Sequence, residues 1–145
     1  MDTSETFIKQ CEKAEEIQEA WKPQYGDYIG GQWFIDTEDN IGLTQLGIVL
    51  SYDADKKLLN TGGAILWSKE TNFWLPRQDQ LQAMVDWKDY DISIDWHSLP
   101  CKFYWAKDPL ETQGVDGGSM EQLWLAFVMQ ERYSKIWNGE EWIKS

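Results

Sequence analysis

Cations, histidine and cysteine are scarce in this chain of 145 residues. It holds 13 Lys and Arg against 25 Asp and Glu, a net charge of −12, with one His and two Cys. Each shortage removes a class of function. Neutralising phosphates needs clustered Lys and Arg, so direct nucleic-acid binding is not expected. The same charge disfavours an anionic membrane surface. One His with Cys11 and Cys101 is too few soft ligands for a structural zinc site, and no Cys-x-x-Cys occurs. The two Cys lie far apart and read as buried free thiols of a reducing compartment. Apolar runs such as Trp124 to Met129 are a few residues long, far short of the roughly 18 a membrane span requires. The start, Asp2 to Glu5, is acidic where a secretory leader would carry basic and then apolar residues. The expectation is a cytoplasmic chain without cofactor or metal. Four Pro and eleven Gly exclude collagen-like and low-complexity classes.

What is abundant is tryptophan. Ten Trp, six Tyr and five Phe make the chain 14% aromatic, which argues against disorder. The length suits a single globular domain, residues 1–145, with a core of its own.

Periodicity sketches the elements. Over Ser4 to Trp21 the residues Phe7, Ile8, Cys11, Ala14, Ile17 and Trp21 share one helical face. Asp2 and Glu5 suit the positive end of that helix, and Pro23 stops it. Gly26 to Asp36 reads as extended, with a bend at Gly30-Gly31, and Asp36 to Asn40 as an acidic turn. Leu46, Ile48, Leu50 and Tyr52 alternate within a strand from Thr44 to Tyr52, and Ala64 to Trp67 reads as a shorter one. Trp74-Leu75-Pro76 opens a second helix. Tyr90, Ile92, Ile94 and Trp96 alternate with acids, and Cys101, Phe103 and Trp105 with Lys102 and Tyr104. Ser119 and Gln122 fit a capping box, whose helix runs on to a Gly stop at Asn138-Gly139. The pattern predicts an α+β domain: one antiparallel sheet of about five strands with three helices packed against it.

Three constellations invite chemistry. Asp89, Asp91, Ser93 and Asp95 place oxygens at alternate positions as in the start of a calcium loop. Ile94 falls where that loop requires Gly, however, and Pro100 where it requires a bidentate Glu. The spacing reads more simply as the wet face of a strand. His97 and Cys101 could form a nucleophile–base pair, although no local signature surrounds them. Exposed tryptophans could stack sugars, bases or the apolar side chains of a partner. Trp74, Trp87 and Trp142, at element ends, are the candidates for solvent contact. Together these give a candidate binding surface of Trp74, Trp87, Asp89, Asp91, Asp95, Trp96 and His97, with no catalytic or metal residue assigned.

The segment Trp74-Leu75-Pro76-Arg77-Gln78-Asp79-Gln80-Leu81-Gln82 resembles small proteins encoded in phages and prophages of Gram-positive bacteria. So does the block from Ser119 to Met129, continuing through Trp137 to Trp142. Glu15 to Gln18 and Trp21-Lys22-Pro23 look like the same group. The resemblance spans both ends and the middle helix. It implies a phage or prophage gene in a bacterial host, and it carries over no catalytic residue.

The leading expectation is therefore a non-enzymatic interaction module whose partner is a host or phage protein, one version being an inhibitor of a host or defence protein. The alternative is a small-ligand domain that binds a sugar or nucleotide through exposed Trp. A hydrolase using Asp91 or Asp95 with a second acid ranks last, because no motif places two acids in one cleft.

Overall fold

The computed structural model describes residues 1–34, 42–62 and 66–145, with side chains for all of these except 32–34 and 42–45. The expected turn at Asp36–Asn40 and the start of the expected strand Ala64–Trp67 lie outside the described residues. The described chain divides into two compact units. Ala14–Pro76 forms the central unit; Met1–Lys13 and Arg77–Ser145 form the terminal unit.

The helix expected over Ser4 to Trp21 is two helices, α1 (Glu5–Lys13) and α2 (Glu15–Ala20). Ala14 leaves helical geometry between them, with φ −84° and ψ 68°. In the central unit, α2 precedes six strands: β1 (Tyr28–Phe34), β2 (Gly42–Ile48), β3 (Ser51–Asp53), β4 (Leu58–Asn60), β5 (Trp67–Ser68) and β6 (Asn72–Leu75). They form two antiparallel sheets, ordered β2-β1-β6 and β3-β4-β5. The strand expected from Thr44 to Tyr52 is divided because the chain changes partners at Val49. Ile48 still pairs with Tyr28 of β1, whereas Ser51 pairs with Asn60 of β4. Gly30-Gly31 marks no bend. β1 runs through it, and the missing side chains admit its neighbour: a Cβ on Gly30 would meet the Phe73 ring of β6 at 2.6 Å.

The terminal unit adds α3 (Gln78–Gln82), a 3₁₀ turn (Trp87–Asp89), β7 (Asp91–Asp95), β8 (Cys101–Ala106), β9 (Gln113–Gly117), α4 (Met120–Tyr133), β10 (Lys135–Trp137) and β11 (Trp142–Lys144). Here β7-β8-β9 form an antiparallel sheet and β10-β11 a hairpin. The second helix starts later than expected, because Asn72–Leu75 is spent on β6. Its first turn is closed by Gln80 Oε1, which accepts the Arg77 backbone N–H at 2.9 Å.

The α+β class thus holds, while the single sheet of about five strands with three helices does not. Among the described residues there are four α-helices, three three-stranded sheets and a hairpin. The strands find their partners in four separate ladders.

α4 organises the terminal unit. Gln122 to Met129 are buried without a break, so the helix is enclosed on all sides instead of lying on a surface. Ser119 caps it, its hydroxyl accepting the Gln122 N–H at 3.2 Å. The reciprocal half of the expected box is rerouted. Gln122 Oε1 accepts from the Gly118 N–H, and its Nε2 donates to Asp2 and Ser4. Burial alone would raise the Asp2 carboxyl, but hydrogen bonds from Ser119, Ser4 and Gln122 outweigh it and hold the group below its usual range.

The end of α4 also departs from expectation. Ser134, at φ 53°, closes the helix in left-handed geometry. Asn138-Gly139 then turns β10 into β11, and the Asn138 side chain accepts the N–H groups of Glu140 and Glu141. Asn-Gly here acts as a hairpin turn.

Candidate functional site

The residues proposed from sequence fall in different settings. Trp74 belongs to the central unit and is buried, its ring stacked on Trp21 at 6.1 Å with 4° between planes. It is therefore no solvent-facing contact. Its backbone is pinned by Gln18, which donates to the Trp74 carbonyl and accepts its N–H. Trp142, the other indole expected at the surface, is also buried, and its Nε1–H donates to the Gln10 carbonyl at 2.9 Å. The Trp142 ring is fixed by its own indole bond, whereas Trp74 is held by its backbone and by its stack on Trp21, its Nε1–H having no hydrogen-bond partner among the described residues.

The remaining candidates lie on one stretch of the terminal unit. Trp87 sits in the 3₁₀ turn, partly exposed, with its edge toward Trp124 at 6.2 Å. Asp89 ends that turn and Asp91 begins β7, both exposed. Asp91 and Asp95 share a strand face but stand four residues apart. That separates them by roughly 13 Å at about 3.3 Å per residue, farther than the pair of carboxyls that cleaves a glycoside, about 5–9.5 Å. Among the described residues no group of three or more His, Cys, Asp or Glu could hold a metal ion.

Three of the candidates converge on the tip between β7 and β8, residues 96–100. The ladder ends at the Asp95↔Lys102 pair, and the chain beyond it leaves the sheet. Asp95 organises the loop: its carboxylate accepts the His97 N–H at 2.9 Å and the Ser98 hydroxyl at 2.7 Å. The Ser98 hydroxyl first, then the His97 N–H, hold the Asp95 carboxyl below its usual range. Asp95 is thus a structural acid of the turn, an arrangement that short polar side chains favour. Leu99 joins Pro100 through a cis peptide bond.

The tip is apolar where it meets solvent. Trp96 is 58% exposed and Leu99 95%, and His97 is exposed between them. The alternation that buries Phe103 and Trp105 on β8, and half-buries Ile92 and Ile94 on β7, does not extend to Trp96. Cys101 is half-buried on β8, where its backbone pairs with Gly117. Leu99 escaped the sequence reading. Its signal was a large aliphatic inside a Ser-x-Pro turn, a place that strand periodicity does not score.

Behind the tip, β8 is anchored to α4. Glu131 accepts the Trp105 Nε1–H at 2.6 Å and the Tyr90 hydroxyl at 2.8 Å. Partial burial first, then this carboxylate, push the Tyr90 phenol up to about 12. Lys107 lies over the Tyr90 ring at 5.6 Å.

No protein-family model, curated protein or solved structure matches this chain. Among the described residues no helix is long and apolar enough to cross a membrane.

Proposed function

We propose that the chain is a non-enzymatic interaction module that docks a host or phage protein through the β7–β8 tip. The observation that carries this reading is a loop braced by its own Asp95 that holds Trp96 and Leu99 out in solvent. Large apolar side chains at a rigid tip are what a partner's pocket receives, and Trp is enriched among the residues that dominate binding energy. Bracing matters as much as exposure, because a loop already fixed loses less conformational freedom on docking. The resemblance to phage-encoded proteins supplies a setting in which a small acidic chain meets host proteins. The charge of −12 suits a partner with a basic rim around its pocket.

The test compares proteins captured from a phage-infected Gram-positive culture by the wild-type chain and by a Trp96→Ala/Leu99→Ser double variant. Both residues are exposed, so the variant is expected to keep its circular dichroism and to change stability by no more than about 0.5 kcal/mol. A partner bound by the wild type and weakened about tenfold or more in the variant supports the reading. An identical captured set overturns it.

A further inference from the structure

Away from the tip, the terminal unit contains a cleft of about 410 Å³, within the roughly 300–1,000 Å³ of small-molecule sites. α1 contributes Gln10, β9 contributes Gly114 and Asp116, α4 contributes Gln130, and β10 contributes Ile136 and Trp137. The walls are chemically uneven. On one side Ile136 and the half-buried Trp137 offer an apolar surface. Trp137 is held by Trp142 across the hairpin, their ring centres 5.2 Å apart. Polar groups come from Asp116 and from two carboxamides. Gln130 Nε2 donates to Gln113 Oε1 at 2.8 Å, which leaves the Gln130 oxygen as an acceptor.

Gln10 is the informative residue. It is 6% exposed, and its Oε1 is buried with no hydrogen-bond partner among the described residues. Its backbone is fixed, since the Gln10 carbonyl receives the Trp142 indole N–H. Buried polar atoms in folded proteins are nearly always paired, and an orphan is costly. The terminal torsion of a glutamine is soft, so the carboxamide can turn its oxygen to a donor that enters the cleft. A chain that needed only packing at this position would be served by Leu.

We propose that the cleft binds a neutral sugar. The acceptors of Gln10, Gln130 and Asp116 call for a guest rich in hydroxyl donors, and the Trp137 ring suits the C–H face of a pyranose. None of the residues lining the cleft is Lys or Arg, so an anionic nucleotide would meet Asp116 with no cation in the lining, the nearest on the ladder being its cross-strand neighbour Lys102. This site is independent of the β7–β8 tip.

Titration calorimetry and saturation-transfer NMR with N-acetylglucosamine, glucose and galactose at millimolar concentrations test the assignment, with AMP as the anionic control. Saturable binding of at least one sugar is expected, and none of AMP. Gln10→Leu is expected to weaken it about tenfold or more while leaving the unliganded fold as stable or more so, because the orphan oxygen is gone. A merely structural Gln10 would give the opposite sign of stability change. Asp116→Asn, at an exposed position, is the second variant should Gln10→Leu fail to fold, with weakened binding again expected. No saturable sugar binding, stronger binding of AMP, or binding unchanged in the variants would overturn the proposal.

Discussion

The two units place their tryptophans differently. In the terminal unit Phe103, Trp105, Trp124 and Phe127 meet at tilted or edge-to-face angles, with centroids 5.1 to 5.8 Å apart. In the central unit Trp21 and Trp74 lie flat on each other, and polar groups secure the arrangement. Trp21 Nε1–H donates to the Asp27 carboxylate at 2.9 Å, and Lys69 lies over its ring at 5.6 Å. Edge-to-face contact places the positive edge of one ring on the negative face of the next, so a cluster of four rings is mutually supporting. Parallel rings whose centres are 6.1 Å apart are offset, which is also a favoured geometry, but a pair shares that gain between two rings only. Both units leave aliphatics outside: Leu46, Ile48 and Leu50 of the central unit are each more than 40% exposed, and Leu99 and Leu110 of the terminal unit more so. The inward face of β2 in the central unit is the one bearing Gly47, which lies against Thr61, Trp67 and Ile29.

If the aromatic cluster carries the terminal unit, removing its shared member has the largest effect. Phe127→Ala is expected to cost about 3–5 kcal/mol in urea unfolding; a loss under about 1 kcal/mol would show that the rings are redundant. The central unit should break instead by addition. Gly30→Ala drives a methyl into the Phe73 ring and is expected to cost about 1–3 kcal/mol. A neutral result would show that β1 and β6 can part without consequence.

The smallest effect at neutral pH is expected from Glu131→Gln, which keeps the shape but loses the charge that serves Trp105 and Tyr90; about 1 kcal/mol is expected. Its signature lies at alkaline pH. A phenol raised from 10.0 to about 12 in the folded chain stabilises fully below pH 10. That contribution is lost as the pH rises through about 12. Phenolate absorbance should show one tyrosine titrating late in the wild type and nearer 10 in the variant; no change would remove Glu131 as a cause.

Local rules made much of this legible. The class, the burial alternation on β8 and the Ser119 cap follow from period and capping alone. The errors came where a residue's partner lies far along the chain. Trp74 and Trp142 looked peripheral because they end elements, yet Gln18 and Gln10 hold them inside from 56 and 132 residues away. The division of the strand at Val49 depends on which neighbour each half finds. Asn138-Gly139 was read as a helix stop, but Ser134 ends the helix first and Trp137 pairs with Trp142 across the turn, so the same dipeptide serves the hairpin. At the candidate site, Trp96 and His97 were named for chemistry, while the role of Asp95 as a loop brace needed geometry. The cleft was not legible, because its walls come from four elements scattered between residues 10 and 137.

The order in which the chain is made bears on how it folds. The central unit is contiguous and can close once Pro76 has left the ribosome. α1 emerges earlier still, but it must wait: Gln10 receives its indole only when Trp142 has been synthesised. This helix is therefore secured only after the rest of its unit has been made, and its apolar residues Phe7 and Cys11 await cover until then.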